Sequence, residues 1–226
     1  MLAFELQIPH GHLVGWALPS PETPVSFFTG LHPDEASFAQ ALAPRRRIPW
    51  IGGRLALRAA IGCPELAPIG TTPRGGPLLP AGWTGSISHK DTIAVGLASP
   101  SMSHTVGVDI EVDRPLVHDI ARLVLTAREL EEIAPLAPEP RAREVLLRFS
   151  AKESIYKALD PYVGRYVGFA EAEVTPVADG TAKVVLLLRD AEDPSKREGP
   201  FEVDVRWFRR DGLILTSARI LRSELL

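Results

Sequence analysis

Val106-Gly107-Val108-Asp109-Ile110-Glu111 alternates apolar residues with Gly, Asp and Glu. That period of two is the pattern of a strand, so Asp109 and Glu111 project to one face while Val108 and Ile110 project to the other. Upstream, Gly85–His89 and Ile93–Ala98 carry the same signature with turn-forming residues between, and the three together predict a meander. Residues 2–18 hold two short apolar stretches broken by Pro9 and Gly11, which predicts two strands joined by a turn. Between Asp34 and Ile61 the chain is rich in Ala, Leu and Arg, and Pro44 and Pro49 predict helix on either side of a break. Pro64–Pro80 is dense in Pro and Gly and reads as a loop.

Downstream of the same strand, Thr126 followed by Glu129 forms a capping-box pattern that predicts a helix to about Ile133. A longer helix is expected from about Arg141 to Leu159, stopped by Pro161. The last third alternates as strands over Glu171–Val177, Thr181–Arg189, Phe201–Arg209 and Leu213–Ile220, with Asp179-Gly180 and Asp211-Gly212 as turns. The class is α+β. Each half runs helix first and strands after, which suits an internal duplication, although no repeated residue pattern marks one.

Composition narrows the function classes. With 226 residues, 45% of them hydrophobic and 23% charged, the chain can bury a real core as one domain or two small ones. A net charge of -3 argues against binding nucleic acid through the overall field, while leaving room for a local basic pocket that holds a small polyphosphate. Cys63 is the only cysteine, so an intramolecular disulfide and a cysteine metal cluster are excluded and a reducing cytoplasm fits. The N-terminus lacks a basic segment followed by an apolar one, and the longest aliphatic run, Val184–Leu188, is too short to span a bilayer. Neither a signal peptide nor a membrane anchor is expected.

Two like charges on one strand face repel, and a hard divalent cation with oxygen ligands relieves them. Spacing alone favours the plainer reading of Asp109 and Glu111 as a solvated strand end. In Phe149-Ser150-Ala151-Lys152-Glu153-Ser154-Ile155-Tyr156-Lys157, Glu153 and Lys157 share a helix face, with Leu147, Ala151, Ile155 and Ala158 roughly opposite as a buried stripe. An ordinary surface ion pair, worth about 0.3–0.5 kcal/mol, explains that spacing as well.

The two segments, in this order and about forty residues apart, resemble the paired signatures of the phosphopantetheinyl transferase superfamily. Gly85-Ser86-Ile87-Ser88-His89 precedes them, as in the larger monomeric branch typified by surfactin and enterobactin biosynthesis. The resemblance covers roughly residues 45–170. It implies transfer of the phosphopantetheine arm of coenzyme A to a serine of an apo acyl, polyketide or peptidyl carrier protein, with release of adenosine 3′,5′-bisphosphate.

By the same resemblance, Asp109, Glu111 and Glu153 bind Mg²⁺, Glu153 accepts the proton of the attacking serine directly or through water, and Lys157 binds phosphate. Asp109, Glu153 and Lys157 are thereby the catalytic set. Ser88 and His89 match positions that contact coenzyme A phosphate, and Arg47 and Arg54 belong to a basic segment matching the one that receives the adenosine 3′-phosphate. Arg74, in Pro73-Arg74-Gly75-Gly76-Pro77, stands in for a lysine often found before the proline. The implied architecture is a pseudo-twofold monomer of two similar α+β halves, residues 1–103 and 104–226, with coenzyme A in the cleft between them. Two rivals share some of these residues: another metal-dependent phosphodiester-cleaving enzyme using water, and a non-catalytic module that holds a carrier protein.

Overall fold

The first hairpin, β1 (Leu2–Ile8) and β2 (Gly11–Ala17), forms where the two apolar stretches and their turn predict it. The computed structural model describes residues 1–62, 67–101, 103–115, 118–189 and 198–222, and the chain divides into two compact units, residues 1–102 and 103–226. Cys63 lies outside the described residues.

In the first unit, α1 (Pro33–Ala41) and α2 (Pro44–Ile61) meet at the expected break, with Pro44 at the first helical position where its missing donor removes no bond. Pro49 does not interrupt α2, contrary to expectation. It sits in the second turn, so its ring forfeits one bond to the carbonyl of Arg45, an exposed residue whose oxygen water can reach. The 64–80 loop contains a small ladder of β3 (Gly70–Thr71) and β4 (Pro77–Leu78). Two longer strands, β5 (Trp83–Lys90) and β6 (Ile93–Pro100), pair as a hairpin around Asp91 and Thr92, with Asp91 at φ 46°. The antiparallel sheet has the order β1-β2-β6-β5, and α2 packs on it. A β-carbon on Gly96 would collide with the backbone of Leu57, so glycine lets α2 lie directly on β6. Val14, Ala56, Leu57, Ala60 and Ala98 form the core between them.

The second unit opens with β7 (His104–Val112), which departs from the expected meander. It leaves β6 and pairs with β11 (Leu213–Arg222), at the edge of a sheet ordered β7-β11-β10-β9-β8. Strand propensity marks a strand without marking its partner, and the partner here is a hundred residues away in sequence. The remaining strands are β8 (Ala172–Pro176), β9 (Thr181–Leu186) and β10 (Phe201–Arg210), the last joined to β11 by Asp211-Gly212, both at positive φ.

Among the described residues, three α-helices fill the middle of this unit. α3 (Ala121–Val124) is followed by α4 (Ala127–Ile133), whose N-terminus has the predicted capping box between Thr126 and Glu129. α5 (Pro138–Val163) begins earlier than expected, with a proline in its first turn, and it passes through Pro161 to end at Gly164 in the left-handed conformation. Pro161 forfeits only the bond to Lys157 O, two residues before the last, where the chain is leaving the helix anyway. α5 packs on β7 and β11, with Ala151, Ile155, Ala158, Val205 and Ala218 in the core. Among the described residues no helix is long and apolar enough to cross a membrane.

Candidate active site

Gly107 explains how the acidic strand and α5 come together. A β-carbon there would collide with the Ser154 carbonyl oxygen, so only glycine lets α5 settle on β7. Thr105 Oγ1 donates to Ala158 O at 2.6 Å and ties the same face to the helix. The period of two then turns Asp109 and Glu111 toward α5, with Val106, Val108 and Ile110 on the other face, all buried. Residues on both faces of β7 are buried here, so the solvated strand end suggested by spacing is not what forms: Asp109 is 5% exposed and Glu111 7%.

Both oxygens of Asp109 have donors from α5. Ser150 Oγ donates to Oδ2 at 2.8 Å and Lys157 Nζ to Oδ1 at 2.8 Å, while Lys157 Nζ also donates to Val108 O at 3.0 Å. Lys157 thus reaches across to β7, beyond what an i,i+4 surface pair describes. Burial pushes the Glu153 carboxyl up from its ordinary value; Lys157 draws it back down, and Asp109 and Glu111 push it up again. Glu153 therefore feels two acidic neighbours and the Lys157 ammonium at once.

Among the described residues, no three acidic, imidazole or thiol side chains close on one point to hold an ion as they stand. The donor set nonetheless fits a hard cation: every candidate ligand is a carboxylate oxygen, and the burial and acidic neighbours that raise Glu153 are what a divalent ion offsets.

The basic candidates lie in the first unit. Arg54 is 5% exposed, its Cζ stacks 4.1 Å from the Trp50 ring centroid, and Nη2 donates to Gly70 O at 3.2 Å and Thr71 Oγ1 at 2.7 Å. Burial lowers its pKa to about 10, with Glu35 raising it. Arg54 therefore anchors the β3–β4 hairpin, whose exposed tip carries Arg74 beside Gly75 at φ 91°. Arg47 departs from its expected place in a phosphate pocket. Its guanidinium donates to the carbonyls of Ala39, Gln40 and Leu42 at 3.1, 3.0 and 2.9 Å, where α1 ends and its last carbonyls have no further turn of helix to bond; Ala39 O also accepts from Leu42 N. Ser88 and His89 are neighbours on β5 and so address opposite faces, the serine buried and the histidine exposed.

Sequence reasoning passed over two features. Lys152 is wholly buried and donates to Glu129 Oε2 at 2.6 Å, Val124 O at 2.8 Å and Phe169 O at 2.9 Å, pinning α3 and α4 to α5. Its position inside the 149–157 motif was the available signal. Thr216, opposite Asp109 on β11, lies within hydrogen-bond distance of Ser150, and no local pattern marks it.

Comparison with known proteins agrees with this geometry. The family model of the 4′-phosphopantetheinyl transferase superfamily matches residues 105–205, and that of the 4′-phosphopantetheinyl transferase N-terminal domain matches residues 34–99. The chain is 32% identical over 206 residues to the 4′-phosphopantetheinyl transferase Svp of Streptomyces mobaraensis, covering 89% of this chain and 82% of that one. It is 31% identical over 197 residues to Npt of Nocardia iowensis, covering 82% and 87%. Enterobactin synthase component D of Salmonella typhimurium is 32% identical over 179 residues, covering 76% and 71%. Since these relatives align along most of their own length and the two family models follow one another in chain order, the chain belongs to the 4′-phosphopantetheinyl transferase superfamily.

Proposed function

We propose that this chain transfers the 4′-phosphopantetheine group of coenzyme A to a serine of an apo carrier protein. The observation that carries the reading is the meeting of Asp109 on β7 with Lys157 on α5, beside Glu111 and Glu153, in a member of this superfamily. The serine oxygen attacks the β-phosphorus of coenzyme A. The bond from that phosphorus to the bridging oxygen breaks, adenosine 3′,5′-bisphosphate leaves with the electron pair, and the serine proton passes to a base. No covalent enzyme intermediate is required.

Asp109, Glu111 and Glu153 are the residues that would hold Mg²⁺, which when bound neutralises charge on the pyrophosphate and on the transferring phosphoryl group. Glu153 is the base: burial and two acidic neighbours raise its affinity for a proton, which suits a group that must accept one at neutral pH. Lys157, held by Asp109 and Val108 O, presents a fixed ammonium to a phosphate oxygen. Arg74 meets coenzyme A phosphate from the hairpin tip that Arg54 anchors, and His89 or Ser88 donates to a second phosphate oxygen. The reading carries with it a cytoplasmic monomer acting on carrier domains, without nucleic acid or membrane; the single cysteine suits a reducing compartment and the charge of -3 argues against binding nucleic acid through the overall field.

Incubation with coenzyme A, Mg²⁺ and a panel of apo carriers, read by intact mass, tests the proposal. The carrier should gain one phosphopantetheine on its serine. Cleavage of coenzyme A with every carrier unmodified would favour a hydrolase, and carrier binding without cleavage a non-catalytic module.

A further inference from the structure

Ser150 and Thr216 are fully buried hydroxyls on the interface between α5 and β11, among Leu146, Leu147, Ala151, Ile214 and Ala218. A buried hydroxyl is costly unless bonded, and alanine and valine would fill the same space without that cost. The two hydroxyls lie 3.0 Å apart, and Thr216 stands opposite Asp109 in the β7–β11 register. Ser150 Oγ is 2.8 Å from Asp109 Oδ2, and Thr216 Oγ1 also donates to Ser150 O at 2.8 Å.

The direction of this chain follows from its end. An ionised carboxylate only accepts, so the one hydrogen of the Ser150 hydroxyl is committed to Asp109. The Thr216 hydrogen is then shared between the hydroxyl and the carbonyl of Ser150. With Lys157 Nζ on Oδ1, each Asp109 oxygen has a donor of its own and the plane of the carboxylate is set.

We propose that Ser150 and Thr216 are positioning residues that orient Asp109 for the divalent cation through this hydroxyl chain. The inference rests on the metal reading given under Proposed function. Partners behind a metal ligand typically contribute about ten- to a hundredfold to metal affinity, because they fix the ligand before the ion arrives.

Mn²⁺ serves as the probe, titrated into the protein with coenzyme A and no carrier, so that no turnover occurs, and followed by the loss of the free-ion paramagnetic signal against coenzyme A alone. Ser150→Ala and Thr216→Val should each weaken Mn²⁺ binding by roughly ten- to a hundredfold. Thr216→Ser, which keeps the hydroxyl, should bind as wild type does. In transfer assays the Mg²⁺ requirement should rise more than the KM for coenzyme A. Wild-type Mn²⁺ affinity in folded Ser150→Ala and Thr216→Val would overturn the proposal; should Ser150→Ala not fold, Thr216→Val decides alone. Wild-type protein that binds no Mn²⁺ beyond what coenzyme A holds would overturn the metal reading itself, and the positioning role with it.

Discussion

Lys157 Nζ donates to Asp109 Oδ1 at 2.8 Å, joining α5 to a strand residue 48 positions earlier. The contact puts the Lys157 ammonium against one carboxylate while it also steadies the charge of Glu153. Lys157→Met should lower transfer by about 10²–10³-fold, the loss typical of one charge-stabilising donor. Because Lys157 draws the Glu153 carboxyl down, its removal should also move the acid limb of the rate profile to higher pH. An acid limb that stays in place in this variant would separate Glu153 from the base.

Glu153→Gln should reduce transfer by about 10²–10⁴-fold while making the protein more stable at neutral pH. The folded-state pKa of Glu153 is raised, so its contribution to stability is fully present below the unfolded value and is lost as pH rises through the folded one. Glutamine cannot ionise and escapes that loss. The variant should melt higher than wild type near pH 7.5, and the gap should close towards pH ~4, where the wild-type carboxyl is protonated in both states. A variant less stable than wild type at neutral pH would show that Glu153 is not destabilised by its surroundings.

Arg74 and Arg54 should be separable by the donor they discriminate. Charge-assisted bonds to phosphate contribute roughly 1.5–3 kcal/mol, so wild type should use dephospho-coenzyme A at about a tenth of the efficiency or less. Arg74→Ala should lose that preference and keep its melting temperature, because Arg74 lies at an exposed tip. Arg54→Ala should lose preference and stability together, since its guanidinium holds Gly70 O and Thr71 Oγ1 beneath the hairpin. Arg54→Lys should not restore either, as an ammonium lacks the planar fork that stacks on Trp50. Full donor preference in Arg74→Ala would move the 3′-phosphate to other residues.

Lys152 and Glu129 form a buried pair whose halves depend on each other. Lys152→Met leaves the buried Glu129 carboxylate with only Arg148, 4.0 Å away and shared with Glu132 and Glu144, as countercharge, and should cost about 3–5 kcal/mol in urea unfolding. Adding Glu129→Gln removes the poorly compensated charge and should recover part of that loss. Equal stability of Lys152→Met and the double variant would mean the two charges are not coupled.

Several elements were legible because their causes are local. The turn at Asp211-Gly212, the capping box of Thr126 and Glu129, and the shared face of Asp109 and Glu111 each follow from neighbouring residues alone. Pro49 and Pro161 misled because a proline costs one bond, and what that bond is worth depends on where in the helix it falls. Pairing partners were hidden for a different reason. β7 follows β6 directly in sequence yet pairs with β11, because partners are chosen by the packing of whole faces.

The α+β class, the acidic strand, the helix carrying Glu153 and Lys157, and through their joint pattern the superfamily are readable from the order of residues alone. Those properties are periodicities and spacings, which one chain carries without reference to its fold. What each polar side chain meets depends on the packed fold: Lys157 on Asp109, Arg47 on the end of α1, Arg54 under a hairpin, Lys152 on Glu129, and Thr216 behind Ser150. A buried polar group must find a partner within about 3 Å, and which group stands there is settled by how helices and strands distant in sequence pack against one another.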